Sequence, residues 1–295
     1  MAKKIDNKEI KSNKKAKSKS MRKIFLLIIP VIIIVCIIGF MWFTQTTDVV
    51  NAQLIVESGT VQIKHAGGSW ISAQNSMLLY QSDSVKTGDN TSASIVLFKS
   101  SIIRLDSNTE VTIQELIQQE EETSVEIKQD YGRTWNTISK MSGIDNYEVH
   151  TPTTVASVRG TSFDVYILAD GNIIISVGNG TVNVTTYENG QIMSSIEVPE
   201  NLSVSVDPDN LNETPELQPY EKDEWILENQ QKDDEFKESL KEELYKRIEP
   251  FLPELKEQYG LTDQELEALI DGYIMGYFDL PSDSPEWARK LFELT

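Results

Sequence analysis

The hydrophobic positions of the chain follow three successive patterns. Residues 24–43 form an unbroken apolar run of 20 residues without a charge. Between residues 50 and 206, short runs alternate apolar with polar side chains, which is the period of a half-buried β-strand. Within 221–295, apolar side chains recur every three or four residues, as in amphipathic helices. These patterns predict one transmembrane helix, a mainly β domain and a C-terminal α-helical region.

The apolar run at 24–43 has the length of a membrane-spanning helix. At a rise of about 1.5 Å per residue it extends roughly 30 Å, the thickness of a bilayer's hydrocarbon core. Residues 1–23 carry ten Lys and Arg against two acids, a charge of +8 (10 − 2), and the first charge after the run is Asp48. The positive-inside rule therefore predicts that residues 1–23 form a basic cytoplasmic tail and that the body is extracytoplasmic.

A cleaved signal peptide is the alternative to a retained anchor. Small residues around Ala52 offer a peptidase site, but the apolar run exceeds the ~7–15 residues usual for the core of a signal peptide. A helix buried in a globular core does not fit either, since a surface apolar on every side suits lipid better. We expect a single-pass protein anchored in the cell membrane, with its C-terminal body periplasmic or extracellular.

Turn signals divide the β domain, residues 50–206, into short strands. Asp170-Gly171, Asn179-Gly180 and Asn189-Gly190 follow one another at intervals of nine and ten residues. Such pairs supply the positive φ that tight hairpin turns require. Short strands at regular spacing predict a β roll, a solenoid or a sandwich.

A linker and a helical region are predicted after the β domain. Residues 207–220 contain three prolines and few apolar side chains, which indicates a linker. In the acidic helical region at 221–295, a first helix is predicted to end before Pro250, and Thr262 with Glu265 forms a capping box. The stripe of the first helix is Phe236, Leu240, Leu244 and Ile248. We expect a small bundle or helices packed on the β domain; a docking module for another extracytoplasmic protein is the alternative.

The charge distribution limits the classes of partner. The chain has a net charge of −19, so residues 24–295 sum to −27 (−19 − 8). An acidic body repels phosphate backbones, and we therefore expect no nucleic-acid partner. The single cysteine, Cys36, excludes a disulfide or a Cys-based metal site within one chain.

The sequence contains no motif of a common catalytic or cofactor site. It has no G-x-S-x-G elbow, no phosphate-binding G-x-x-x-x-G-K-S/T loop and no H-E-x-x-H pair. The two histidines, His65 and His150, lie in predicted strands, where a structural role is expected. The acidic runs at 120–122 and 233–235 are predicted to be solvated. We expect no enzyme activity, no cofactor and no metal site.

One segment resembles a known family. Residues 151–165, TPTTVASVRGTSFDV, look like the signature of FecR domains, and the stretches at 79–105 and 175–184 fit the same family. The resemblance covers roughly residues 55–200, and its VRGT core is the most specific part. The family motif comprises Thr151, Pro152, Val158, Arg159, Gly160, Thr161 and Phe163. The resemblance implies a periplasmic or extracellular β-rich sensory module whose motif is structural or faces a partner.

The motif also has a structural explanation that needs no ligand. Pro152 favours an extended start and removes a backbone donor. Gly160 lets the chain turn or approach closely. If Arg159 is buried, it must pair with a carboxylate or cap carbonyl groups, and this internal pairing is the expected arrangement.

The resemblance implies a non-enzymatic function at the cell envelope. The best-known relatives relay a signal from an outer-membrane iron-siderophore transporter to a sigma factor, using a folded cytoplasmic anti-sigma domain. Only 23 basic, Ser- and Lys-rich residues precede the predicted span here, so we expect no such domain. The expected partners are the membrane, through residues 24–43, and an unknown envelope protein or surface ligand. The alternatives are an envelope carbohydrate-active hydrolase with paired carboxylates and a purely structural surface protein.

Overall fold

The computed structural model describes residues 52–118 and 123–274, in which strands come first and helices follow. Within these ranges there are seventeen strands and three α-helices. The strands are β1 Ala52–Ser58, β2 Val61–Lys64, β3 Ile71–Ser72, β4 Leu78–Leu79, β5 Ser84–Thr87, β6 Ser92–Leu97, β7 Ser101–Leu105, β8 Glu110–Gln118, β9 Thr123–Thr137, β10 Asn146–His150, β11 Thr154–Val158, β12 Ser162–Ile167, β13 Ile173–Asn179, β14 Thr181–Glu188, β15 Gln191–Pro199, β16 Leu202–Val206 and β17 Gln218–Pro219. The helices are α1 Glu224–Ile248, α2 Leu252–Tyr259 and α3 Asp263–Ile274, with 3-10 helices at Lys140–Ser142 and Glu249–Phe251.

Several predictions fall on other parts of the chain. The basic tail and the transmembrane run, residues 1–43, lie outside the described residues, as do the acidic run at 120–122 and the last residues of the helical region, 275–295. Among the helices that are described, none combines the length and the apolar character needed to cross a bilayer.

The strands form two sheets that share β9. The first half of this 15-residue strand pairs with β8 and β10, and its second half pairs with β7 and β12. Sheet A has the spatial order β4-β1-β6-β7-β9-β12-β13-β16-β17. Sheet B has the order β3-β2-β5-β8-β9-β10-β11-β14-β15. The pairing of β9 with β10 is parallel, and the other pairings are antiparallel.

One hydrophobic core lies between the two sheets. Leu54 and Ile95 of sheet A and Ile63 and Ile127 of sheet B are fully buried and belong to a single cluster. The alternation predicted from the sequence produces this arrangement, since every second side chain of a strand faces the same side. The mainly β prediction is confirmed. The choice among a roll, a solenoid and a sandwich stays a prediction.

The predicted turns connect consecutive strands. Asp170-Gly171 lies between β12 and β13, Asn179-Gly180 joins β13 to β14, and Asn189-Gly190 joins β14 to β15. The first and third connections return the chain antiparallel to itself. Asn179-Gly180 does not form a hairpin, because it passes the chain from β13 in sheet A to β14 in sheet B. The Asn-Gly and Asp-Gly pairs therefore located the strand boundaries of this region correctly.

The predicted linker is partly packed against the β domain. Leu211 is buried in the core cluster, and β17 pairs with β16. Asp223 then caps α1, accepting a hydrogen bond from the Ile226 amide at 2.9 Å. The division into separate domains at 207–220 stays a prediction.

The predicted capping box is present at the start of α3. The Thr262 amide donates to Glu265 Oε2 at 2.9 Å, and the Glu265 amide donates to Thr262 Oγ1 at 3.2 Å. Each side chain thus satisfies a backbone donor that the first turn leaves open.

Candidate functional site

The motif turn connects β11 of sheet B with β12 of sheet A. Arg159 and Gly160 form the turn, and Gly160 has φ +71°, a conformation that costs little only for glycine. The Thr161 amide donates to the Ile138 carbonyl at 3.1 Å, and the Ile138 amide donates to the Thr161 carbonyl at 2.9 Å. Ile138 directly follows β9, so the turn is fixed to the strand that both sheets share.

Most of the motif contributes to the β structure. Val158 and Phe163 are buried, and the Phe163 ring meets Tyr147 edge-on at 6.3 Å between centroids. Thr151 Oγ1 accepts a hydrogen bond from the Thr154 amide at 2.9 Å, which orders the start of β11. Pro152 beside it is exposed. The buried members of the motif therefore have a structural explanation.

Arg159 differs from the rest of the motif. Its side chain is exposed, and it makes no ion pair or hydrogen bond with the described part of the chain. The expected internal partner is therefore not found. The reason lies in strand alternation: Val158 faces the core, so the next residue faces solvent before the chain turns.

A second group of polar contacts lies between sheet A and α1. Asp233 of α1 is only 3% exposed and accepts three hydrogen bonds from the sheet. Its Oδ1 accepts from Arg104 Nη1 at 2.5 Å and from Thr137 Oγ1 at 2.6 Å, and its Oδ2 accepts from Trp135 Nε1 at 2.9 Å. Arg104 is itself 5% exposed, so this is a buried ion pair whose carboxylate oxygens are both hydrogen-bonded.

Arg133 of β9 joins the same two layers. Its Nε and Nη2 donate to the buried Asp164 of β12 at 2.8–3.1 Å. Its Nη1 donates at 2.6 Å to Asp223, the residue that caps α1. The guanidinium also lies 4.9 Å from the ring centroid of Tyr166 and 4.5 Å from that of Trp225. Arg133 therefore links two strands of the sheet to the start of the helix.

Three charged side chains of this interface have shifted pKa values. Burial raises the pKa of Asp164 to about 6, against the opposing effect of the hydrogen bonds and charge of Arg133. For Asp223, partial burial acts to raise the pKa. Hydrogen bonds from Arg133 and the Ile226 amide together have the larger, opposite effect, so the pKa is lowered overall. Burial alone would lower the pKa of Arg133, yet its two carboxylate partners raise it overall, so the guanidinium stays charged.

Apolar side chains complete the contact between α1 and sheet A. Trp135, Tyr220 and Ile226 form a buried cluster, with Trp225 packed against it. The indole of Trp135 fits because Gly178 has no side chain: a Cβ at this position would lie 2.9 Å from the ring. The sheet face thus has the shape and the charges of a helix-binding surface, which its own α1 occupies.

The motif turn and the helices meet at the β9–β10 connection. Met141 of this connection packs in one apolar cluster with α1 and α3. Beside it lies a recess of about 10 Å³, with Gly160 and Thr161 on one side and Phe236 and Leu240 on the other. This is room for about one water molecule. None of the residues that line it carries a carboxyl group.

The acidic run at 233–235 was expected to be solvated, and this is wrong for one of its members. Asp233 is buried, whereas Asp234 and Glu235 are exposed. The signal is visible in hindsight, because Asp233 lies seven residues before Leu240 and thus continues the inward stripe of α1.

Comparison with known proteins is consistent with the motif. The FecR protein family matches residues 83–183. Two crystal structures of a "putative anti-sigma factor" from Parabacteroides distasonis ATCC 8503 are similar at 18% and 20% identity, with TM-scores of 0.37 and 0.36. Each match covers 48% of this chain and 60% of the other. A search of curated proteins found no match. The segment that matches the FecR family, residues 83–183, includes the Arg159-Gly160 turn.

Proposed function

We propose that this protein is a membrane-anchored, extracytoplasmic module of the FecR type that senses or binds a partner at the cell envelope and catalyses no reaction. The FecR match at 83–183 supports a regulatory role. The apolar run at 24–43 and the basic residues before it support the anchor and its orientation.

The exposure of Arg159 is the observation that carries the proposal. Val158, Thr161 and Phe163 are buried around it, whereas Arg159 itself has no partner within the described residues. A side chain required only for folding would be expected to make contacts in the fold. A guanidinium instead offers five donors in a fixed plane, which suits the carboxylate of a partner.

The helical region has a different role in this proposal. Its helix α1 covers the outer face of sheet A through the buried pairs of Arg104 and Arg133. A partner then has the motif turn and the outer face of sheet B available. This arrangement supports the helices as part of the module, packed on their own chain, over the alternative of a separate docking unit.

The hydrolase alternative finds little support at the motif. A glycosidase needs two carboxyl groups roughly 5–10 Å apart beside a sugar-sized cleft. The recess next to the motif holds about one water and is lined by no carboxyl group. A purely structural surface protein differs from a binding module only in lacking a specific partner, and experiment separates the two.

Site-specific photo-crosslinking of the full chain in its own cells tests the proposal. A photoreactive residue replaces Arg159, and a matched control replaces Lys99, which is also exposed but lies in the β6–β7 turn. We expect a crosslink to one envelope protein from position 159 and none from position 99. Identical products from both positions, or none from either, would leave a purely structural protein as the better explanation.

A further inference from the structure

Three metal-binding side chains converge on the outer face of sheet B. Glu126, Glu148 and His150 each offer one ligand atom, and these atoms lie within 4.8 Å of one another. Glu148 and His150 are two residues apart on β10, so they point to the same side. Glu126 lies directly beside Glu148 on the parallel strand β9. The three donors therefore come from two hydrogen-bonded strands of a sheet, which is a rigid support.

Of the acidic side chains at this position, Glu148 is paired with His150 at 2.8 Å, whereas Glu115 and Glu126 have no ion-pair partner among the described residues. Glu126 and Glu148 are direct cross-strand neighbours, and Glu115 of β8 lies beside Glu126 on its other side. Like charges in this position destabilise a sheet. Lys128 is close by on β9, but its Nζ donates to Asp130 at 2.6 Å. Within the described residues Glu126 has no ion-pair partner, so a bound cation would remove the repulsion.

Two of the ligands are already oriented by neighbours. His150 Nε2 lies 2.8 Å from Glu148 Oε2, and Ser157 Oγ donates to Glu148 Oε1 at 3.2 Å. The imidazole and the carboxylate thus approach each other through the atoms that would coordinate a metal. A hydrogen bond that fixes the second oxygen of a ligating carboxylate is a common feature of metal sites.

We propose that Glu126, Glu148 and His150 bind a divalent transition-metal cation of the Zn²⁺ class. One imidazole and two carboxylates are a donor set that suits such ions, whereas Ca²⁺ and Mg²⁺ prefer oxygen ligands alone. Three protein ligands leave a fourth position for water or for a side chain of a partner. The proposal stands on these residues and does not depend on the proposed function.

The distances require only small side-chain movements. In a tetrahedral zinc site with bonds of about 2.0–2.1 Å, ligand atoms lie roughly 3.3–3.4 Å apart. The imidazole and the Glu148 carboxylate must therefore separate by about 0.5 Å from their present 2.8 Å. Glu126 must move towards them from within 4.8 Å. All three side chains are half-buried, so rotation about their torsions can supply this movement.

A metal at this position would join β9 to β10. These strands flank the connection that carries Met141, which packs against the helices. Ser157, the neighbour of Glu148 on β11, lies two residues before Arg159 on the same face. A bound cation would therefore stiffen the sheet next to the motif and place positive charge near the surface proposed for a partner.

Calorimetric titration with Zn²⁺ tests the site in the full-length chain. The protein is purified in mild detergent without a polyhistidine tag and is freed of metal with a chelator. We expect one Zn²⁺ per chain, and at a free concentration of 100 times Kd a rise in Tm of roughly 5–10 °C. His150→Ala and Glu126→Gln should each raise Kd at least tenfold. His65→Ala is the matched control, since His65 pairs with one carboxylate only and should leave Kd unchanged.

The same Zn²⁺ titrations can also contradict the proposal. Variants are compared only where their circular dichroism and metal-free Tm match the wild type, and Glu148→Gln replaces any variant that fails this check. Absence of saturable Zn²⁺ binding in the wild type would overturn the proposal. So would equal affinity in the wild type and His150→Ala, or a site that binds Ca²⁺ as tightly as Zn²⁺.

Discussion

At the scale of single residues, Asp233 attaches α1 to sheet A through three buried hydrogen bonds. Its Oδ1 accepts from Arg104 and Thr137 and its Oδ2 from Trp135. Asp233→Asn would leave Arg104 buried without a counter-charge and would turn an amide N–H towards another donor. Removing one partner of a buried ion pair typically costs about 3–5 kcal/mol. We expect the free energy of unfolding, measured in urea, to fall by about 3 kcal/mol.

The neighbouring Asp234 provides the control for this substitution. It carries the same charge on the same helix but is exposed. Asp234→Asn should change the free energy of unfolding by less than about 0.5 kcal/mol, as is usual for surface sites. Equal effects at both positions would mean that the charge of the helix, and not the buried pair, holds it on the sheet.

A second prediction at this scale concerns Gly160. Its φ of +71° is strained for a β-branched residue, so Gly160→Val should lower stability by roughly 1–3 kcal/mol. Gly160→Asn is the comparison, because asparagine adopts this conformation more readily than other side chains do. Thermal unfolding of both variants checks the order glycine, asparagine, valine. A valine variant that melts with the wild type would refute the role assigned to this turn.

The residues that could be predicted are those whose role is local. The turn at Gly160 and the capping box of Thr262 follow from neighbouring residues, and the structure contains both. The partner of Arg104 could not be found in this way, because Asp233 lies 129 residues further along the chain. The internal partner expected for Arg159 is absent from the described residues. The residue type suggested a partner, but the direction of β11 turns Val158 to the core and leaves Arg159 exposed, which the sequence does not reveal.

At the scale of elements, the strands were predictable and their neighbours were not. Alternation and Asn-Gly turns located β13, β14 and β15, but only β14 and β15 pair with each other, and β13 lies in the other sheet. The parallel pair of β9 with β10 leaves no local signal, and neither does the passage of β9 from one sheet to the other. The cluster of Glu126, Glu148 and His150 arises from that parallel pair, which is why the sequence indicated no metal site.

The separation of the β domain from the helices gives the prediction at this scale. We expect residues 50–206 to fold without the tail and residues 221–295 to be only partly stable alone, since about 75 residues provide a marginal core. Limited proteolysis should cut first within 210–215, where residues 212–214 are exposed. Circular dichroism of the two fragments provides the measurement.

The fragment experiment tests whether the β domain needs the contacts of α1 with sheet A in order to fold. Without the helix, Arg104 and Arg133 would be solvated and not left buried without partners, so the sheet should survive with reduced stability. A fragment of residues 50–206 that is unfolded would show instead that the helices complete its core. In that case the predicted boundary at 207–220 would be wrong.

At the scale of the whole molecule, the distribution of charge predicts the orientation in the membrane. The segment before the apolar run has a charge of +8, and the positive-inside rule places such a segment in the cytoplasm. A reporter that is active only outside the cytoplasm should be active when fused after Thr295 and inactive when fused before Met1. Retention of the fusion in the membrane fraction at full length would distinguish an anchor from a cleaved signal peptide.

Replacing the basic residues between Lys14 and Lys23 by glutamine should reduce the activity of the C-terminal fusion, because the charge that holds the N-terminus inside is lost. An active N-terminal fusion with an inactive C-terminal one would reverse the orientation and with it the extracytoplasmic role proposed for Arg159.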